Sequence, residues 1–171
     1  MRLFFAIWPD DDVARQLRHT ARHLKLESPS RRVDPKNYHV TLAFVGEVPA
    51  AKLAVLQQIG GSLRMARFSF KCESLEFWRE SKVVVAAAGA APAGLLDLRE
   101  KLHDALGLPR ERLRAHVTLA RKVAQAPVLQ AMSPILWRAT SFSLIRSDTG
   151  GVESAYTVLD TWPLLDETEN H

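Results

Sequence analysis

The chain has 171 residues, 47% of them apolar, a formal charge of +4 and a single cysteine. This composition excludes a disordered chain, an internal disulfide and a zinc site built on cysteines, and no run approaches the roughly 18 apolar residues of a membrane-crossing helix. A soluble protein of a reducing cytoplasm is expected, and its mild basicity suits a polyanionic partner without requiring one.

The opening Arg2-Leu3-Phe4-Phe5-Ala6-Ile7-Trp8 has the look of a signal segment, but Pro9 and the run Asp10-Asp11-Asp12 break it, so it reads as a first β-strand. Asp10 can cap a helix over about 11–24, where Val13, Leu17, Ala21 and Leu24 fall at helical spacing. His19 and His23 lie one turn apart on this helix; with no Glu between them in the place a zinc motif needs, they read as solvated. Glu27 to Arg32 is a polar loop, in which Arg31 and Arg32 are either a rim for phosphates or solubilising charge. A strand over about 38–46 follows, then a helix over about 49–62 ended by Gly60-Gly61. Alternating runs 67–78 and 82–88 form a hairpin around Glu80-Ser81.

A second half begins there. Pro92 to Leu106 is a helix with Leu95, Leu98, Leu102 and Leu106 on one face, closed by Gly107, and a basic loop through Arg110, Arg112 and Arg114 leads into another strand. Strands near 135–147 and 155–162, separated by the turn Asp148-Thr149-Gly150-Gly151, complete the chain. The pattern gives an α+β fold of one two-lobed domain over 1–171, with two antiparallel β-sheets facing a central cleft and helices on their outer faces.

Within it, His39-Val40-Thr41-Leu42-Ala43 recurs letter for letter as His116-Val117-Thr118-Leu119-Ala120, 77 residues on. A single His-x-Thr triplet is an ordinary half-buried strand, and a shuffled chain of this composition holds about 0.3 of them. Two copies sharing every intervening letter are a site facing one ligand. Side chains alternate along a strand, so each copy presents an imidazole and a hydroxyl on one face. Two imidazoles titrating near neutrality can serve as base and acid for displacement at phosphorus, while Thr41 and Thr118 donate hydrogen bonds to non-bridging oxygens. No acidic cluster accompanies the motifs to hold a metal ion, and no glycine-rich phosphate loop is present, so chemistry without metal or cofactor is expected.

The opening Arg2-Leu3-Phe4-Phe5-Ala6-Ile7, the longer first motif Asn37 to Glu47, and the second motif followed by Arg121 together resemble the RNA 2′,3′-cyclic phosphodiesterases. These are also called bacterial 2′-5′ RNA ligases, within the two-histidine phosphoesterase superfamily. The resemblance implies a pseudo-two-fold bilobal fold and hydrolysis of a 2′,3′-cyclic phosphate end of RNA, or of a small cyclic nucleotide, to a 2′-phosphate. It further implies His39 as proton donor to the leaving 3′ oxygen and His116 as proton acceptor from water. A monomer is expected. Ala115 stands where the family commonly has proline. Arg121 is a phosphate ligand or a surface arginine: strict alternation from His116 turns it away from the site, and only a strand end or a bulge brings it back. Phe5 and Tyr156, which could stack a base or reach the site, and Trp78, Trp137 and Trp162 are read as packing or rim groups. The alternatives are 2′-5′ ligation by the reverse chemistry and a module that binds RNA ends without turnover.

Overall fold

The computed structural model describes residues 1–151 and 154–166. The strands are β1 (Arg2–Ile7), β2 (Arg31–Arg32), β3 (Val40–Glu47), β4 (Phe68–Trp78), β5 (Val83–Ala88), β6 (His116–Arg121), β7 (Ile135–Ala139), β8 (Ser141–Asp148) and β9 (Ala155–Pro163). The helices are α1 (Asp11–Arg22), α2 (Leu53–Ser62) and α3 (Ala93–Leu106). The strands form two antiparallel sheets, ordered β3-β1-β8-β9 and β2-β6-β5-β4-β7.

The two halves repeat one plan. β1 leads through α1 to its neighbour β3, and β5 leads through α3 to its neighbour β6, so each sheet has its motif strand beside the strand that precedes the helix. In both cases the helix leaves its parent sheet: α1 packs on β6 and β7, and α3 on β3. α2 lies on β8 and β9, where Gly60 admits the Trp162 indole against the helix backbone, a contact that any Cβ would block.

Alternation along the strands sorts residues between two faces. Leu3, Phe5 and Ile7 join Val84, Ala86, Val117 and the α3 leucines Leu95, Leu98 and Leu102 in one continuous core under the helices. The opposite faces carry two smaller clusters, Phe4, Ala6 and Ile145 on one sheet and Val83, Val85 and Ala87 on the other. Asp10 caps α1 by accepting from the Val13 amide at 2.8 Å, and Gly107 ends α3 in the left-handed conformation, as the sequence indicates.

Two expectations change. The single strand near 135–147 is two strands, because the chain crosses between sheets at Thr140, whose carbonyl accepts from the Leu164 amide at 2.8 Å. Membership of the core beneath the helices records the switch: Ile135, Trp137 and Ala139 join it on odd numbers, Phe142 and Leu144 on even ones, while Ile145 belongs to the cluster on the opposite face. The loop at 27–32 contains β2, and Arg32 is neither phosphate rim nor free charge. Its guanidinium donates to the carbonyls of Ala21 and Leu24 and so ties off the end of α1.

Candidate active site

His39, Thr41, His116, Thr118 and Arg121 line one cavity of about 270 Å³, together with Trp78, Ser81 and Val83. The two imidazoles are held alike. The Nδ1–H of His39 donates to the Asn37 carbonyl at 2.7 Å, and that of His116 donates to the Arg114 carbonyl at 2.6 Å. A carbonyl only accepts, so in the neutral ring the proton sits on Nδ1 and Nε2 carries the free lone pair. Each ring is also braced by aromatic groups. Trp8 stacks on His39 at 5.0 Å between centroids, with Phe4 and Tyr156 at 5.1 and 5.3 Å, while Trp78 lies 4.3 Å from His116. Trp8 is fixed in turn by its indole N–H, which donates to the Lys36 carbonyl at 3.2 Å. The Arg114 guanidinium sits 5.7 Å over the Trp78 ring and pairs with Glu76.

Arg121 reaches the cavity because the motif strands do not alternate strictly. Opposite β5, Thr118 pairs with Val85 and Ala120 with Val84, so β6 has one residue more than its partner. Leu119 and Ala120 both enter the core, and the next residue, Arg121, emerges on the cleft face. The first motif repeats the device. Thr41 pairs with Ala6 and Ala43 with Phe5, Leu42 and Ala43 are both core, and Phe44 emerges where Arg121 does in the other half. Phe44 is 48% exposed, with the Arg2 guanidinium 4.9 Å over its ring. Gly46, at φ +87, then supplies the left-handed turn that a second irregularity in β3 requires.

The carbonyl of the first residue of each bulge finds its donor on the side of the strand away from its bulge partner. The Leu119 carbonyl accepts from the Val33 amide at 2.8 Å, next to β2. β3 has no such neighbour, and there the buried His103 of α3 does the work, its Nε2 lying 3.2 Å from the Leu42 carbonyl and its Nδ1 2.8 Å from that of Pro109. His103→Leu is expected to lower stability by about 1–3 kcal/mol by stranding the carbonyl, and to reduce turnover by disturbing the neighbouring Thr41. His103→Gln, which keeps a donor, should recover part of both. Equal melting temperatures and rates for all three proteins would rule this out.

Burial pushes the His39 pKa down to about 4, helped by the charges of Arg121 and His116 and opposed by the bond to Asn37. Burial lowers His116 as well, with Arg114 and Arg121 adding to the effect while the bond to the Arg114 carbonyl and the Glu76 carboxylate oppose it. Both rings are therefore held neutral at pH 7. The unfolded chain takes up the His39 proton near pH 6.5 and the folded chain only near 4, so this contribution to stability is full above about 6.5 and is lost as the pH falls between these values. Its full size is about 3 kcal/mol at most. His39→Gln should flatten the dependence of the denaturation midpoint on pH over that window. An unchanged slope would refute the linkage.

Of the other sequence candidates, Phe5 is fully buried against Trp162 and has no access to the cavity, Trp137 is core, and Tyr156 and Trp78 brace the histidines. Ala115 is buried and its carbonyl accepts from the Ala88 amide at 2.8 Å. His19 and His23 are exposed, and no cluster of three or more His, Cys, Asp or Glu suited to a metal ion occurs among the described residues. No described helix is long and apolar enough to cross a membrane. Phe4, Trp8, Phe44 and His103 were not singled out by sequence reasoning. A doubled apolar pair after each Thr, Leu42-Ala43 and Leu119-Ala120, is the signal that marks both bulges and hence Phe44.

A model of LigT-like phosphoesterases matches residues 7–86. The RNA 2′,3′-cyclic phosphodiesterase of Escherichia coli strain K12 is 30% identical, over 95% of this chain and 96% of that protein. The enzyme of the same name from Thermus thermophilus is 29% identical, over 98% and 92%. The crystal structure of Escherichia coli LigT complexed with 3′-AMP superposes with a TM-score of 0.86 at 29% identity, covering 95% of this chain and 97% of that one.

Proposed function

Because the chain belongs to the LigT-like phosphoesterases, we propose that it is an RNA 2′,3′-cyclic phosphodiesterase, hydrolysing the cyclic phosphate at an RNA end to a 2′-phosphate without a metal ion. The observation that carries the reading is the pair of imidazoles, each tied through Nδ1 to a carbonyl two residues back, lining one cavity with Arg121 and two threonines. Relatives named for this reaction, and one whose structure holds 3′-AMP, support a nucleotide as occupant.

The cyclic phosphodiester sits between the histidines. His116 Nε2 takes a proton from water as the water oxygen attacks phosphorus, and His39 Nε2 gives a proton to the 3′ oxygen as its bond to phosphorus breaks, so neither free hydroxide nor free alkoxide forms. Thr41 and Thr118 donate to the non-bridging oxygens, and Arg121 offsets the charge that builds on them. Phe44, an exposed ring on the cleft face, offers a surface for the terminal base. The order of proton donor and acceptor rests on the family resemblance. Burial holds His39 neutral, and the ring gains its proton from the field of the bound substrate anion, so binding should be accompanied by proton uptake.

The test is incubation with an RNA ending in 2′,3′-cyclic phosphate in the presence of EDTA. Conversion to a 2′-phosphate end at the rate seen without EDTA is expected, with a bell-shaped pH profile. Loss of activity to the chelator, restored by a divalent ion, would refute a mechanism carried by histidines alone. Appearance of a 2′-5′ joined product instead would redirect the reading to ligation, and tight binding without turnover to an RNA-end binding module.

A further inference from the structure

We infer that the groove lined by Arg31, Arg121 and Lys122, beside the catalytic cavity, holds the phosphodiester on the 5′ side of the terminal nucleotide. The protein is thereby fitted to RNA chain ends rather than to free cyclic nucleotides. The inference rests on the cavity being the seat of the cyclic phosphate.

The groove, of about 210 Å³, is also lined by Asp34, Asn37 and Tyr156, and Arg121 lines both spaces, so the two adjoin at its side chain. Arg31 and Arg121 stand directly opposite each other in the β2–β6 pair, and Lys122 follows at once. Like charges across a strand pair oppose folding, and Lys122 adopts φ +56, a left-handed conformation that side chains other than glycine avoid. Three cations gathered at such a cost call for an anion. Among the described residues none of the three forms an ion pair with a carboxylate, in contrast to Arg67, Arg110, Arg114 and Arg146, which all do. The one acidic lining residue, Asp34, is engaged by Lys36 through its ammonium at 3.5 Å and its backbone amide at 3.0 Å. Arg32, the neighbour of Arg31, is committed to the end of α1.

The chemistry suits two successive phosphates of one strand. A guanidinium has five N–H donors, and bidentate contact with the reacting phosphate uses two, leaving donors of Arg121 to face the groove. Arg31 and Lys122 then supply the charge for the second phosphate. That contact is to the backbone alone and carries no base preference.

The probe pair that isolates this phosphate is adenosine 2′,3′-cyclic phosphate with and without a 5′-phosphate, assayed on the wild-type chain and on Arg31→Ala and Lys122→Ala. The wild type is expected to favour the 5′-phosphorylated substrate about tenfold in kcat/KM, more at low salt, and each variant to lose most of that preference while hydrolysing the unphosphorylated substrate at the wild-type rate. No preference in the wild type, or equal losses on both substrates in the variants, would overturn the inference. Should neither compound nor an RNA ending in 2′,3′-cyclic phosphate be turned over, the reading of the cavity fails instead. Calorimetric titration with adenosine 2′,5′-bisphosphate against adenosine 2′-phosphate then decides the groove on its own, tighter binding of the bisphosphate that depends on Arg31 and Lys122 supporting it and equal binding refuting it.

Discussion

Replacing either His39 or His116 by alanine is expected to lower kcat by about 10²–10⁴-fold, and replacing both to cost less than the product, because one transition state uses both protons. Neither change should unfold the chain. Each ring is only partly buried and contributes no buried network beyond its bond to a carbonyl two residues back. The two variants should nevertheless differ in kind. If His39 protonates the leaving oxygen, a substrate whose 3′ oxygen is replaced by sulfur, which departs without a proton, should restore much of the activity of His39→Ala and little of that of His116→Ala. Rescue of the His116 variant instead would exchange the roles, and rescue of neither would remove the acid role from both rings.

Arg121→Ala is expected to lower kcat/KM by about 10²–10³-fold, the scale set by removing a charged donor aimed at a developing phosphoryl charge. The melting temperature should hold, since Arg121 is exposed and has no carboxylate partner among the described residues. Arg121→Lys keeps the charge but loses the fork, and should recover only part of the rate. Wild-type kinetics in the alanine variant would return Arg121 to the surface in spite of where its strand delivers it.

This residue also marks how far the sequence can be read. The duplicated pentapeptide identifies both imidazoles and both hydroxyls, because a repeated local pattern needs no knowledge of what the strands pair with. Arg121 depends on β6 having one residue more than β5, which is a property of two strands rather than of one. The same limit separated Phe4 from Phe5: alternation places them on opposite faces of β1, but only the sheet fixes which face looks into the cleft. The run 135–147 reads as one strand because both parts are apolar and extended, and the crossing at Thr140 is visible only as a change of phase. His103 lies beyond reach because its partner, the Leu42 carbonyl, is 61 residues away and lacks a strand partner because β3 is the edge of its sheet.

The exchange of helices between the sheets bears on motion as well as on packing. α1 joins β1 to β3 yet rests on β6 and β7, and α3 joins β5 to β6 yet rests on β3. Each lobe thus carries a helix that belongs by connectivity to the other, and a hinge opening of the lobes would have to pull both out of a shared core. The gap between the histidines is therefore set when the chain folds and not when substrate arrives. Opening and closing of the lobes, as far as the described residues form them, is therefore no step of turnover, and the pace of catalysis falls to the chemical step and to diffusion of the RNA end.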